Sequence, residues 1–310
     1  MTKSTKQFSK WSLEWLEFHR SKVKLSTYKM YLFKVQKLNE FFGAQNISVI
    51  STMDIQKYLN YLAQEEKFSA STVKKYRITL TSIFNYAINN CVINKNPCSL
   101  SDIPKTVEKP PRRALTESEI ETVYNYSNNN LKYIYPVVLL YTGLRRSECL
   151  ALRWEDFDFK KKKIHIYKVV LFDHSVPFIE YKLKNGSKER YIPLPTPLEK
   201  LLNKVKQSTG WLFSDDNDSL LTEGKVEIQW REFLKNTNLK ITQHMTRHTY
   251  ATMLYYAGVD VKTAQQFLGH KHISTLLDIY THLDNENLKM AAKKFDTYLI
   301  GKYEGLKIPR

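Results

Sequence analysis

The sequence predicts a mainly α-helical chain of two domains with a small antiparallel β-sheet in the second, an α+β arrangement. Three observations lead there. Apolar residues recur at helical spacing through most of the first hundred positions; three prolines (Pro104, Pro110, Pro111) fall within residues 104–113; and β-type patterning is confined to residues 163–195. Domains of 1–105 and 114–310, joined by a linker over 106–113, follow from these.

Each element has a local reason. Trp11, Leu13, Trp15, Leu16 and Phe18 make a short amphipathic helix, and Tyr31, Leu32, Val35, Leu38 and Phe42 space a second over 28–42. Ser51-Thr52-Met53-Asp54 opens a third, carried by Ile55, Tyr58, Leu59 and Leu62. Ser69 to Thr72 opens a fourth, through Val73, Tyr76, Leu80, Ile83, Phe84 and Ala87. It is expected to stop near Asn94-Lys95-Asn96-Pro97, because proline cannot continue a helix. The proline-rich connector is stiff and extended. Thr116-Glu117-Ser118-Glu119 then restarts helix as a capping box, and helix continues to about Trp154. Three strand runs follow: Ile164 to Leu171, Val176 to Leu183, and Tyr191 to Leu194. Lys184-Asn185-Gly186-Ser187 turns between the last two as a hairpin. Beyond residue 197 the chain is helical again.

Composition narrows the function. With 42% hydrophobic residues, the 310-residue chain is globular, and Tyr135 to Tyr141, among its longest apolar stretches, is far too short to span a bilayer. The start, Met1-Thr2-Lys3-Ser4, leads into no apolar signal region. Cys91, Cys98 and Cys149 form no CxxC pair and read as reduced thiols, so a cytoplasmic protein without a metal site is expected. The net charge of +17 calls for a polyanionic partner. Residues 1–110 hold 17 basic and 8 acidic side chains and residues 111–310 hold 31 and 23, so both halves are basic. Lys74, Lys75 and Arg77 are candidate DNA contacts, although such charges on a helix are more often a solvated face.

The chemistry concentrates in a few short strings. Thr142-Gly143-Leu144-Arg145-Arg146-Ser147-Glu148 places an arginine after a helix stop, with a carboxylate at i+3 to hold it. His244-Met245-Thr246-Arg247-His248 and Leu268-Gly269-His270 follow about a hundred residues later, and Tyr280 comes ten residues after His270. Guanidinium forks match phosphate oxygens, imidazoles share or move protons, and a phenol can become a covalent nucleophile. Gly269 would end a helix and present His270 at its mouth.

This set and its order resemble the tyrosine recombinase (phage integrase) family over roughly residues 8–296. The resemblance implies a helical core-binding domain followed by a catalytic domain of that family. It implies catalytic roles for Arg145, Lys184, His244, Arg247, His270 and Tyr280, with Glu148 in support and no cofactor. In the family a lysine on a turn between strands reaches the departing sugar oxygen; Lys184 fits, with Lys182 and Lys188 as one-slip neighbours. Thr246 departs from the usual leucine and Met245 from a frequent aspartate, which touches packing more than chemistry. The implied activity is site-specific cutting and rejoining of double-stranded DNA, through a 3′-phosphotyrosyl link and a Holliday junction. Four protomers would act, aided by DNA-bending accessory proteins, with the tail 284–310 as an exchanged helix. Element integration, excision and replicon resolution are all open. The first family-like helix begins by residue 11, so the arm-binding domain that many integrases carry ahead of it is expected to be missing. Two rivals remain: a type IB topoisomerase, which rejoins the strand it cut, and a basic DNA-binding protein without chemistry.

Overall fold

A computed structural model describes residues 6–106, 113–181, 189–215, 217–270, 273, 274, 276, 277 and 297. The chain divides into two compact units, 1–111 and 112–310.

The first unit is built on four helices: α1 (Phe8–Arg20), α2 (Leu25–Phe42), α3 (Thr52–Gln64) and α4 (Ala70–Asn89). Helix α1 buries Phe8, Ser12, Trp15 and Leu16, a stripe at i, i+4, i+7 and i+8. Leu13 and Phe18, expected in the apolar stripe, fall off it and are about half exposed, at 52% and 46%. Trp15 anchors α1 to α4 by donating its indole N–H to Ser82 Oγ at 2.9 Å. Helix α3 opens at Ser51 to Asp54 as expected from the sequence, and Ser51 caps it in a reciprocal box with Asp54. Helix α4 ends at Asn89, well before Pro97. The left-handed Cys91 (φ 58°) turns the chain there, and Asn96 ties the following segment back to α4 by donating to Thr81 O at 3.0 Å. Proline was therefore the wrong terminator; a cysteine in a region that disfavours side chains gave no warning in the sequence.

The second unit opens with α5 (Glu117–Asn129), capped by the Thr116–Glu119 box. Helix α6 (Tyr135–Thr142) is buried on nearly every side, which explains why its sequence is apolar all round. It stops at Gly143, whose φ of 60° is left-handed. Short helix α7 (Arg146–Cys149) follows.

Among the described residues the strand region forms two small antiparallel sheets. Strands β1 (Phe157–Asp158), β2 (Lys163–Ile166) and β5 (Arg190–Pro193) make one in the order β1-β2-β5. Strands β3 (Val169–Asp173) and β4 (Val176–Glu180) make the other. The run expected as one strand from Ile164 to Leu171 is thus split between sheets. Among the described residues the second and third runs do not pair with each other: β4 pairs with β3 and β5 pairs with β2, matching Ile164 to Ile192. The turn expected over Lys184 to Ser187 lies outside the described residues. The buried pair Lys168–Asp156 at 2.6 Å sits where the chain crosses between the sheets.

Among the described residues four further helices follow: α8 (Thr196–Leu202), α9 (Glu223–Thr237), α10 (Gln243–Tyr256) and α11 (Val261–Leu268). One large core, including Val138, Leu139, Leu150, Ile164, Ile192 and Phe233, lies beneath them. A smaller cluster of Tyr250, Leu254, Ala264, Leu268 and Leu276 joins α10 to α11. No helix among the described residues is long and apolar enough to cross a membrane.

Candidate active site

The first box is shaped by the end of α6. Tyr250 of α10 packs its ring over Gly143 so closely that a Cβ there would lie 2.2 Å from the ring, so glycine is required by space as well as by φ. The chain leaves Gly143 extended and Arg145 becomes the residue that caps α7. Glu148, one turn on, accepts from the Arg145 backbone N–H at 3.0 Å and from its guanidinium at 2.8 Å. One carboxylate thereby sets both the backbone and the side chain of the arginine.

The second box lies on the first turn of α10, capped by Thr242 Oγ1, which accepts from Met245 N. His244 is exposed on this turn while Arg247, three residues on, is buried. Thr246 is also buried and satisfies its hydroxyl by donating to Gln243 O at 2.8 Å, so the substituted threonine is a packing residue. Arg247 donates to Gly143 O at 2.7 Å and to Leu268 O at 2.6 Å, bracing the end of α6 against the end of α11.

The third box is the end of α11. Gly269 terminates the helix in the left-handed region (φ 65°), and His270 follows. Its buried Nδ1 has no hydrogen-bond partner among the described residues. Burial first, then Arg247, Arg145, Arg190 and His244, pull the imidazole down to about 4, so it is neutral at physiological pH. Those four perturbers show that the boxes converge on one place. Burial and Arg145 likewise lower Arg247 to about 9, which leaves it charged at neutral pH.

Arg190 was not singled out in the sequence. Its side chain is only 8% exposed, and it grips Glu148 with two donors at 3.0 and 3.2 Å. A signal did exist: Arg190 lies two residues before the buried Ile192 on β5, so the strand's alternation turns a cation toward the interior. Burial raises the Glu148 carboxyl, but Arg190, above all, and Arg145 outweigh it and hold it below the carboxylate range. Three guanidiniums against one carboxylate leave a surplus of positive charge in a partly enclosed place, the setting an anion needs.

The structure thus brings Arg145, Glu148, His244, Arg247 and His270 together. Lys184, with its neighbours Lys182 and Lys188, and Tyr280 lie outside the described residues, as does the tail 284–310 except residue 297. In the first unit Lys74 and Lys75 are exposed on α4, whereas Arg77 turns inward and donates to Ser101 Oγ at 2.9 Å and Cys98 O at 3.2 Å.

Comparisons with known proteins agree with this geometry. The model of the phage integrase family matches residues 113–287, and that of the phage integrase N-terminal SAM-like domain matches 14–92. A protein named tyrosine recombinase XerC from Pediococcus pentosaceus is 30% identical, over 81% of this chain and 83% of its own. A tyrosine recombinase XerC-like protein from Caldanaerobacter subterraneus subsp. tengcongensis is 29% identical, over 88% of this chain and 77% of its own. The solved Tn1549 transposon integrase, in complex with a circular intermediate DNA, has the same fold. It superposes with a TM-score of 0.79 at 23% identity, covering 93% of this chain and 99% of that one. Arginine boxes in this order, on this fold and with these relatives, have one meaning: the chain belongs to the phage integrase family, the tyrosine recombinases.

Proposed function

We propose that this tyrosine recombinase cuts and rejoins double-stranded DNA at specific sites, with Tyr280 as its nucleophile. The observation that carries the reading is the cation surplus at the convergence of the three boxes, where Arg145, Arg190 and Arg247 meet a single carboxylate, Glu148, beside His270. Tyr280 attacks the scissile phosphorus; the P–O bond to the 5′ oxygen breaks, and a 3′-phosphotyrosyl link forms. His244 takes the phenolic proton, and Lys184 protonates the departing oxygen. Arg145 and Arg247 hold the non-bridging oxygens and stabilise the charge of the pentacovalent state. Neutral His270 donates an N–H to a phosphate oxygen, and Glu148 keeps the arginines in place. Energy stays in the covalent link, so a second 5′ hydroxyl reverses the step without ATP or another cofactor.

The exposed Lys74 and Lys75 of α4 extend the grip along the DNA backbone. Four protomers act on two duplexes through a Holliday junction in the cytoplasm, exchanging the tail 284–310. The biological setting is a mobile element or a replicon to be resolved.

The test is covalent trapping. Sites are selected from a random-sequence duplex library and rebuilt as nicked suicide substrates. The wild-type chain forms a protein–DNA adduct; Tyr280→Phe keeps site affinity within a few-fold and forms none. Adducts from the Phe variant would remove Tyr280 from the mechanism. Exchanged products from two site-bearing duplexes separate recombination from topoisomerase action.

A further inference from the structure

Three successive carbonyl groups at the end of α11 each accept from a different arginine. Phe267 O accepts from Arg190 Nε at 3.0 Å, Leu268 O from Arg247 at 2.6 Å, and Gly269 O from Arg145 at 2.7 Å. The last carbonyls of a helix have no partner within it and carry the negative end of its dipole, so cations belong there. Two of these arginines already have roles at the phosphate. The third has none in the reading above, yet it is the most interlocked of them: both terminal nitrogens hold Glu148, and its Nε holds Phe267.

We propose that Arg190 is a positioning residue for strand cleavage, locking Glu148, and through it Arg145, to the end of α11 that presents His270. The proposal rests on the reading of the site as a phosphoryl-transfer centre. Arg190 itself does not reach for the phosphate, since all three of its nitrogens are directed into the protein and its side chain is nearly buried. It joins the strand β5, the carboxylate of α7 and the last turn of α11. Lysine could not do this, because one ammonium cannot serve a bidentate carboxylate and a carbonyl on the opposite edge of a planar group. Gly269 shows how tightly the link is built. A Cβ at that position would lie 2.8 Å from the Arg190 Cζ, so the guanidinium lies directly over the glycine backbone.

A consequence distinguishes positioning from mere stabilisation. Glu148 is buried and faces Arg145 at its own helix start, Arg190 from β5 and Arg247 from α10, beside the neutral thiol of Cys149. Without Arg190, burial meets less opposition and the carboxyl titrates higher. Once protonated, Glu148 no longer holds Arg145 by charge.

The experiment measures single-turnover cleavage of a selected suicide duplex by the wild type, Arg190→Gln, Arg190→Lys and Tyr280→Phe between pH 6 and 8.5. Site affinity and melting temperature are measured on the same samples. The expected result is that Arg190→Gln cleaves about 100-fold more slowly near pH 7, the loss a displacement of about 1 Å in a reacting group brings. Affinity stays within a few-fold, and the variant-to-wild-type ratio rises with pH. A ratio near one throughout, or a deficit constant with pH, would overturn the proposal. If Arg190→Gln does not fold, Arg190→Lys decides: at least a ten-fold loss with retained affinity supports the role, and a wild-type rate overturns it. Adducts from Tyr280→Phe would instead overturn the underlying mechanism, whatever the Arg190 variants do.

Discussion

Arg145 donates to the carbonyl oxygen of Gly269 at 2.7 Å, joining residues 124 positions apart in the chain. The bond ties the first arginine box to the third directly. The arginine's other terminal nitrogen is on Glu148, so its guanidinium is fixed on two edges before any DNA arrives. Preorganisation of this kind is where phosphoryl-transfer catalysis gains most, because donors already aimed at the developing charge need no rearrangement during the reaction.

Arg145→Lys and Arg247→Lys should behave differently in stability and alike in rate. On the proposed mechanism each loses a two-pronged grip on phosphate, so each should slow cleavage by about 10²–10³-fold. Arg247 is buried between Gly143 O and Leu268 O, so its replacement also leaves a buried carbonyl unsatisfied, costing about 1–3 kcal/mol. Arg145 is a quarter exposed and its loss should move the melting temperature little. Cleavage at half the wild-type rate would make either arginine structural.

Two glycine substitutions should have opposite signs. Gly269→Ala places a Cβ 2.8 Å from Arg190 and keeps φ at +65°, so it should destabilise by at least ~1–3 kcal/mol and slow cleavage. Gly224, in the first turn of α9, has nothing within 4 Å of its would-be Cβ. Gly224→Ala should be neutral or stabilising by up to about 1 kcal/mol. Denaturant melts of both variants check the pair, and equal destabilisation would count against the close packing at Gly269.

Acid should weaken the fold partly through His270. Its pKa is lowered from 6.5 to about 4, so the unfolded chain binds more protons there between those values. The histidine's neutral burial is therefore without cost above pH 6.5 and becomes progressively unfavourable as pH falls toward 4. His270→Gln should flatten the fall in stability across that window relative to wild type. Parallel curves for the two proteins would place the imidazole in a less perturbed setting than its neighbours indicate.

Lys184→Ala should be rescued by a better leaving group. A 5′-bridging phosphorothiolate departs as a thiolate and needs no proton, so the variant's defect on normal DNA should largely vanish on the sulfur-substituted duplex. Equal defects on both substrates would redirect attention to Lys182 or Lys188, tested in the same way.

Much of the site was legible in the sequence because its parts are local. A glycine after a helix and a carboxylate three residues from an arginine are short-range patterns with short-range causes, as at Gly143 and Glu148. The four-helix unit was legible for the same reason, since Val35, Leu38 and Phe42 or Ile55, Leu59 and Leu62 declare their buried face by spacing alone.

What the linear pattern could not carry was partnership. The strands near residues 163–195 were recognisable as strands, but strand pairing is a choice among distant edges, and β2 took β5 while β3 took β4. Arg190 had no role in the sequence reading, because a cation's meaning depends on which carboxylate and which helix end it meets. By itself the sequence determined the helices, the boxes and the positive charge, all of which arise from propensity, periodicity and composition. Only the tertiary structure decided that three arginines from different elements would each take one carbonyl at the end of α11, because that requires polar groups to find partners across 21, 77 and 124 residues of chain.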